Sequence, residues 1–488
     1  MVNTSVVFNP KWAGIILFQI GIGLLCIFVP WYLAVMFSIL LALSVFLHLR
    51  LQWWAYIFVF LIPFMGIKYP AVYLTVQNFV RGDAIPLLPF LSTFAFLSFI
   101  IHTLVNARKK TFKNPFFIPV LLLLCYSIFT LFWSPANIEF NMFYLMYLIV
   151  DVSLFYFLFY IIITNNESFH RRLMWCFLFS GVALALQSLW ILFLMVTDSP
   201  GIITLTTVRI SDWLSLDLTA RPPEKGVTSV HGFFLGPQET SMVLDTTIYA
   251  GMGLLLTEKG KLTRWFIRII IVMLMVVVFL TGTKSGIWSL IMISFIFVFL
   301  SSQFRKNFFR NCFIVLATFL TIIFSIIIIS GPKKRDPRII NVSAQDQSSM
   351  GQRIGYWETG FKEINRRKVA LFGLGIAGFK YVTIPQMISH AHNIYLSLFF
   401  DFGVIGLIFV FLIIFILLKM FLKILKRQNT YYQNMSVAFA INLLTIGVIG
   451  LVYIPYYMGY VWFILALGSS TFYMANKELS AQEKPDNG

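Results

Sequence analysis

The sequence predicts an all-α, polytopic membrane protein with about 12–14 transmembrane helices and a long extracytoplasmic loop of short helices. Three observations carry that expectation. Of 488 residues, 59% are hydrophobic and only 11% charged, whereas a soluble domain would carry about 25% charged residues. Apolar runs recur from end to end, each long enough to cross ~30 Å of hydrocarbon. The loops between those runs alternate between basic and non-basic, the signature of chain crossing back and forth.

The runs lie near 12–29, 31–49, 53–67, 85–105, 115–133, 142–164, 173–197, 238–257, 265–281, 285–302, 311–330, 393–420, 434–453 and 458–474. The third is short for a span and is compatible with a re-entrant segment. The first lacks a small-residue cleavage site and runs straight into the second, so it reads as a span rather than a cleaved signal. Basic residues cluster in alternate loops: Arg108 to Lys113, Arg171 and Arg172, Lys259 to Arg268, Arg305 to Arg310, and Lys419 to Arg427. The positive-inside rule places these loops and both termini in the cytoplasm. Parity then puts 198–237, the bend 281–285 and the long loop 331–391 together on the outer face.

The formal net charge is +18. Most of it is topological, and no stripe of Lys/Arg interleaved with aromatics points to nucleic acid. The cysteines Cys26, Cys125, Cys176 and Cys312 fall in apolar runs without metal or disulfide spacing. The long loop is different: it carries ten Lys/Arg against four Asp/Glu. A solvated charged loop accounts for that excess, and so does an anionic ligand.

Within this loop, a helix is expected to start at Ser348 or Ser349 as cap. Ile354, Trp357, Phe361 and Ile364 would form its apolar face, with Glu358/Lys362 and Glu363/Arg367 paired on the other side. Arg353 would then sit in the first turn. A cation is disfavoured there unless an anion is shared with the free N–H groups. Lys284 lies in the glycine-flanked bend 281–286, where it could meet a ligand or snorkel to headgroups. His390 and His392 precede Asn393, which can cap the next helix, and a helix start favours a neutral imidazole able to act as general base. Which of the two rings faces a substrate is open. Gly403 and Gly406 are spaced for close helix packing. No cluster has metal spacing and no nucleotide or nucleophile-elbow motif occurs, so no metal or cofactor is expected.

The order of these pieces resembles the O-antigen ligase and Wzy-type polymerase family. His392-Asn393, nine residues, Gly403, two residues and Gly406 resemble its signature. Thr281 to Gly286 resembles its Thr-Gly-Ser-Arg-Gly segment, and Ser349, Arg353 and Trp357 its Ser…Arg…Trp segment. Leu371 to Phe379 resembles its glycine-rich stretch, and Gly232 to Gln238 its Gly-x-Phe…Pro-Asn element. The resemblance implies a metal-independent, inverting membrane glycosyltransferase. Its donor would be a glycan on undecaprenyl diphosphate and its acceptor a sugar hydroxyl. It implies that Arg353 binds the diphosphate and His392 activates the acceptor, with His390, Asn393 and Trp357 in support. Lys284 stands where the family has arginine; it keeps the charge and loses the bidentate fork.

The expected organisation is N-terminal helices and first outer loop (1–231), a ligase/polymerase-like core (232–406), C-terminal helices (407–475) and a cytoplasmic tail (476–488). The expected activity is polymerisation of lipid-linked repeat units into a cell-envelope polysaccharide, of the teichuronic acid or exopolysaccharide type. The active site would face outward from the cell membrane. Membrane lipid, a chain-length regulator and a flippase are the expected companions. Two alternatives remain: a ligase that passes the glycan to a different lipid or wall acceptor, and a lipid-linked glycan transporter. The acids Asp151 and Asp245, which fall within spans and read as interhelical hydrogen-bonding groups, are the feature a transporter would use.

Overall fold

A computed structural model describes residues 50–62, 115–196, 237–301, 344–383, 391–425, 430–451 and 459–482, with short stretches within 68–101 and 305–317. The expected spans 12–29 and 31–49, most of 311–330, the first outer loop and His390 lie outside the described residues. Apart from turns and short loops, the described chain is helical except for one antiparallel pairing of two residues a side, Lys68–Tyr69 with Ile85–Pro86. The run expected from residue 85 therefore opens in extended chain.

The helices are α1 (Gln52–Leu61), α2 (Phe117–Phe129), α3 (Ile138–Thr164), α4 (Glu167–Val196), α5 (Pro237–Thr257), α6 (Lys261–Leu280), α7 (Lys284–Leu300), α8 (Ala344–Arg367), α9 (Gly378–Val382), α10 (Ile394–Leu425), α11 (Tyr431–Gly450) and α12 (Gly459–Gln482). Among the described residues, five stretches are long and apolar enough to cross a membrane: Phe140–Thr164, Glu167–Trp190, Lys261–Leu280, Ile394–Leu425 and Tyr431–Gly450. The loop helix α8 is longer than the short helices expected there.

Helix α5 is the centre of the bundle. It packs against α4, α6, α7 and α11, and every residue from Glu239 to Gly251 is buried. That explains its modest hydropathy: it meets other helices rather than lipid. Near its C-terminal end, Gly253 lets Met435 and Ala438 of α11 approach. Because Met435 lies near the start of α11, the two helices run antiparallel. At the other end, Gly286 at the start of α7 abuts Ser241 at the start of α5. So the starts of α5 and α7 share one end of the bundle with the finish of α11.

The opposite end gathers the charged loops. Arg171 pairs with Glu167 at 2.7 Å and Glu258 at 3.0 Å, and lies over the Tyr431 ring at 4.6 Å. His170 is buried between the Tyr431 hydroxyl at 2.9 Å and Thr471 Oγ1 at 3.0 Å. Thr430 and Gln433 form a capping box that starts α11. Three helix termini and a basic loop thus meet where the loop-charge pattern expects them to meet.

Helix α10 is broken at Gly403, whose φ of 63° and ψ of −161° are non-helical. The break frees backbone groups that hydrocarbon would not satisfy. The segment before α9 supplies the partners. Leu374 N–H donates to Phe400 O at 2.7 Å and Gly375 N–H to Asp401 O at 2.8 Å, while Val404 and Ile405 donate to Ala370 and Leu371 carbonyls at 3.1 and 3.2 Å. The crossing is backbone on backbone: a Cβ on Gly373 would meet Asp401 O at 2.4 Å, and one on Gly403 would meet Leu371 O at 2.4 Å. Gly403 therefore serves as a helix breaker rather than as the packing glycine the spacing suggested. Gly406 leaves room for the Phe402 side chain.

The same loop is held from its far side. Tyr126 donates to Phe372 O at 2.8 Å and Trp133 Nε1 to Gly373 O at 3.0 Å. Ile376 N–H donates to Thr130 Oγ1 at 3.1 Å, and Phe379 N–H to Asp401 Oδ1 at 2.9 Å. Alanine at position 403 would carry both the steric cost of positive φ and the clash with Leu371 O. Gly403→Ala is expected to destabilise the protein by about 2–4 kcal/mol, read as a lowered unfolding midpoint in detergent. An unchanged midpoint would show that the break does not require glycine.

Candidate functional site

The site is built where α8 lies across the start of α10. Tyr356, Trp357, Ile364, Phe379, Ala391 and Phe400 belong to one small apolar cluster, separate from the main bundle core. Gly360 permits the contact, since a Cβ there would meet the Phe400 ring at 2.5 Å. The buried face of α8 therefore runs through Trp357, Gly360 and Ile364. Ile354 and Phe361, expected on that face, each keep 44% exposure. On the far side of α8, Glu363 pairs with Arg366 at 2.6 Å and Arg367 at 3.5 Å.

Helix α8 begins at Ala344, so Ser348 and Ser349 are not its caps. Arg353 falls in its third turn, beyond the four unpaired N–H groups of a helix start. The shared-anion argument from a first-turn position is therefore overturned. What replaces it is a direct relation to the histidine. The His392 ring stacks on Tyr356 with centroids 6.0 Å apart and planes 26° apart, and Arg353 is close enough for its charge to bear on the ring.

The loop that presents His392 is tightly held. Trp357 Nε1 donates to Ala391 O at 2.7 Å. Asn393 Oδ1 accepts from Tyr395 and Leu396 N–H at 2.9 and 3.0 Å, which is the cap anticipated from the sequence. Its amide also donates to Leu451 O at 2.9 Å, and Tyr395 Oη donates to Gly447 O at 3.1 Å. The start of α10 is thereby fixed to the finish of α11. His392 itself has a φ of 50°, a left-handed conformation that strains a non-glycine residue and clusters at functional sites.

Burial first, and the Arg353 charge second, pull the His392 pKa from 6.5 down to about 4. The imidazole is thus neutral at pH 7, with desolvation and a neighbouring cation as the causes. Burial likewise lowers the Arg353 guanidinium from its usual value, with Tyr356 acting in the opposite direction.

Lys284 is the first residue of α7, after Thr283 and the left-handed Gly282 at φ 65°. Thr281 and Thr283 hydroxyls, 3.0 Å apart, brace this turn. It lies at the same end of the bundle as His392, because α5 joins the start of α7 to the finish of α11. Arg353, Trp357, His392 and Asn393 form one contiguous unit, and Lys284 opens a neighbouring helix at that end. Tyr356 and Asp401 went unrecognised in the sequence. Tyr356 was legible, three residues after Arg353 and so on the same helix face.

Residues 269–411 match the family model described as O-antigen ligase. That stretch resembles the family. It includes Lys284, Arg353, Trp357, His392, Asn393 and the Gly403 break. No curated protein matches the chain.

With Arg353 replaced by Gln, one of the two causes that depress His392 is removed. The His392 midpoint is expected to rise from about 4 toward 6.5, followed by histidine-selective NMR in micelles; a midpoint that stays put would separate the two side chains. The stability linkage has a definite sign. A lowered folded pKa means that this contribution is complete above 6.5 and is lost as pH falls through about 4. His392→Gln should remove that part of the acid sensitivity.

Proposed function

We propose that this chain is a membrane glycosyltransferase of the O-antigen ligase and polymerase type, extending a polyprenyl-diphosphate-linked glycan at the extracytoplasmic side of the cell membrane. The observation that supports it is the pairing of a half-buried cation, Arg353, with a neutral imidazole, His392, inside the domain matched to the family.

The chemistry requires both. An acceptor hydroxyl attacks the anomeric carbon, a new C–O bond forms on the face opposite the leaving group, and the C–O bond to the diphosphate breaks. The anomeric configuration is inverted. The hydroxyl proton passes to the imidazole, a transfer worth about 10²–10⁴-fold. Charge grows on the departing diphosphate, and Arg353 stabilises it as it forms. Lys284 adds a second cation without the bidentate geometry. Trp357 and Asn393 hold the histidine loop so that the ring does not have to be ordered during the reaction.

An imidazole with a pKa of about 4 is a weak base. Donor binding works against this, because a diphosphate beside Arg353 offsets the second of the two causes and raises the ring's pKa, while burial, the larger cause, remains. The imidazole therefore becomes a stronger base when the donor is in place. The basic loop 331–391, with ten Lys/Arg against four Asp/Glu, favours an acidic product of the teichuronic acid type.

The deciding experiment incubates purified enzyme in lipid vesicles with undecaprenyl-diphosphate-linked repeat units and EDTA. Lengthening of the lipid-linked glycan is expected. Transfer only to an unrelated acceptor would indicate a ligase, and no product with glycan crossing the vesicle would indicate transport. His392→Ala is expected to abolish extension while the protein still elutes as a folded species; undiminished polymer length would remove the base from the mechanism. Arg353→Ala should weaken donor capture, measured by retention of the lipid diphosphate on immobilised enzyme.

A further inference from the structure

The mid-bundle acids were expected to hydrogen-bond between helices. Among the described residues, neither oxygen of Asp151 or of Asp245 does so, and Asp245 is completely buried on the central helix α5. Asn442 on α11 is equally buried, and neither its Oδ1 nor its Nδ2 has a hydrogen-bond partner among the described residues. Buried polar atoms are nearly always satisfied, so four orphans in one helix interface require a cause.

The helix geometry brings them together. Gly253 of α5 touches Met435 and Ala438 of α11, which fixes the facing stripes. On α11 that stripe continues from 435 and 438 to 442 by steps of three and four. On α5 it runs back from 253 to 249, 246 and 245. Because the helices are antiparallel, Asn442 lies across from the turn 245–249. The Asp245 carboxylate is also within electrostatic reach of the Tyr249 and Tyr460 hydroxyls. Tyr249 donates to Leu290 O of α7 at 3.1 Å, and Tyr460 of α12 hydrogen-bonds Thr246. Polar groups of α5, α7, α11 and α12 thus meet in this layer of the bundle.

We propose that this layer binds a monovalent alkali cation, held by the Asp245 carboxylate and the Asn442 carboxamide oxygen, with the Tyr249 and Tyr460 hydroxyl oxygens completing the shell. The ligand set is all oxygen, which suits a hard cation. The charge selects valence: one carboxylate balances one positive charge, whereas a divalent ion would leave a net charge buried in the bundle. Arg and Lys are absent from the stripe, so no side-chain cation of these two helix faces does this work. The site ties α5 to α11, the helices whose shared end carries the Lys284 turn and the anchor of Asn393. It is independent of the catalytic reading, since it uses none of the residues assigned to glycan transfer.

The test is thermal unfolding of the full-length protein in detergent, in sodium, potassium or N-methyl-D-glucamine chloride at equal ionic strength. Sodium or potassium is expected to raise the wild-type midpoint saturably by roughly 2–4 °C over the organic cation. The rise should vanish in Asp245→Asn and shrink in Asn442→Ala. Radiosodium retention by the wild type, one ion per chain and competed by unlabelled salt, is a second readout that needs no variant to fold. Equal wild-type midpoints in all three salts with no retained radiosodium would overturn the site and assign Asp245 a bound proton instead. An undiminished rise in Asp245→Asn would also overturn it.

Discussion

Four backbone hydrogen bonds tie the break in α10 to the segment 370–375, and the presentation of the His392 loop depends on them. A helix that stops inside an apolar bundle exposes carbonyl and amide groups where water cannot reach them. Here the chain crosses its own broken helix with the segment 370–375 and pairs with it on both sides of Gly403. Glycine is required at 373 and 403 because the two backbones approach more closely than a Cβ would allow. That crossing fixes the orientation of the first half of α10, which in turn carries Asn393 and the histidine before it. The glycine-rich stretch and the histidine signature, separate stretches of sequence, are two halves of one structural device.

The second consequence is electrostatic. Folding α8 over the start of α10 places a guanidinium beside an imidazole and withdraws each of them partly from water. Burial is the larger cause for both groups, and at the ring the Arg353 charge adds to it. The contrast with His170 is informative. That ring is also buried, yet both its nitrogens are engaged by Tyr431 and Thr471 at the opposite end of the bundle. A histidine at a membrane boundary is therefore not functional by position alone; its neighbours decide.

Between these two ends, the bundle centre is more polar than a membrane span normally permits. Helix α5 can carry Asp245, Thr246 and Thr247 because protein surrounds it on every side. Among the described residues, α2, α6, α7 and the second half of α10 keep apolar side chains exposed along their outer stripes.

The sequence alone determined that the chain is an all-α membrane protein, because lipid forbids unpaired backbone and run length then counts the crossings. It also singled out Lys284, Arg353, His392 and Asn393, through charge where charge is expensive and through the cap at Asn393, while Trp357 entered by the family resemblance. Tertiary structure alone decided three matters. Helix α8 starts at Ala344, ahead of the Ser348 or Ser349 cap that local sequence suggested, which moves Arg353 out of the first turn. Gly403 and Gly406 have the spacing of packing glycines, and only the crossing segment 370–375 shows that Gly403 breaks the helix. The depressed pKa of His392 comes from burial and from Arg353 on a separate helix, where local reasoning offered only a helix terminus. Periodicity and charge are local properties that a sequence displays directly. Which backbone satisfies a broken helix, and which cation faces which ring, depend on how distant segments pack, and no local pattern encodes that.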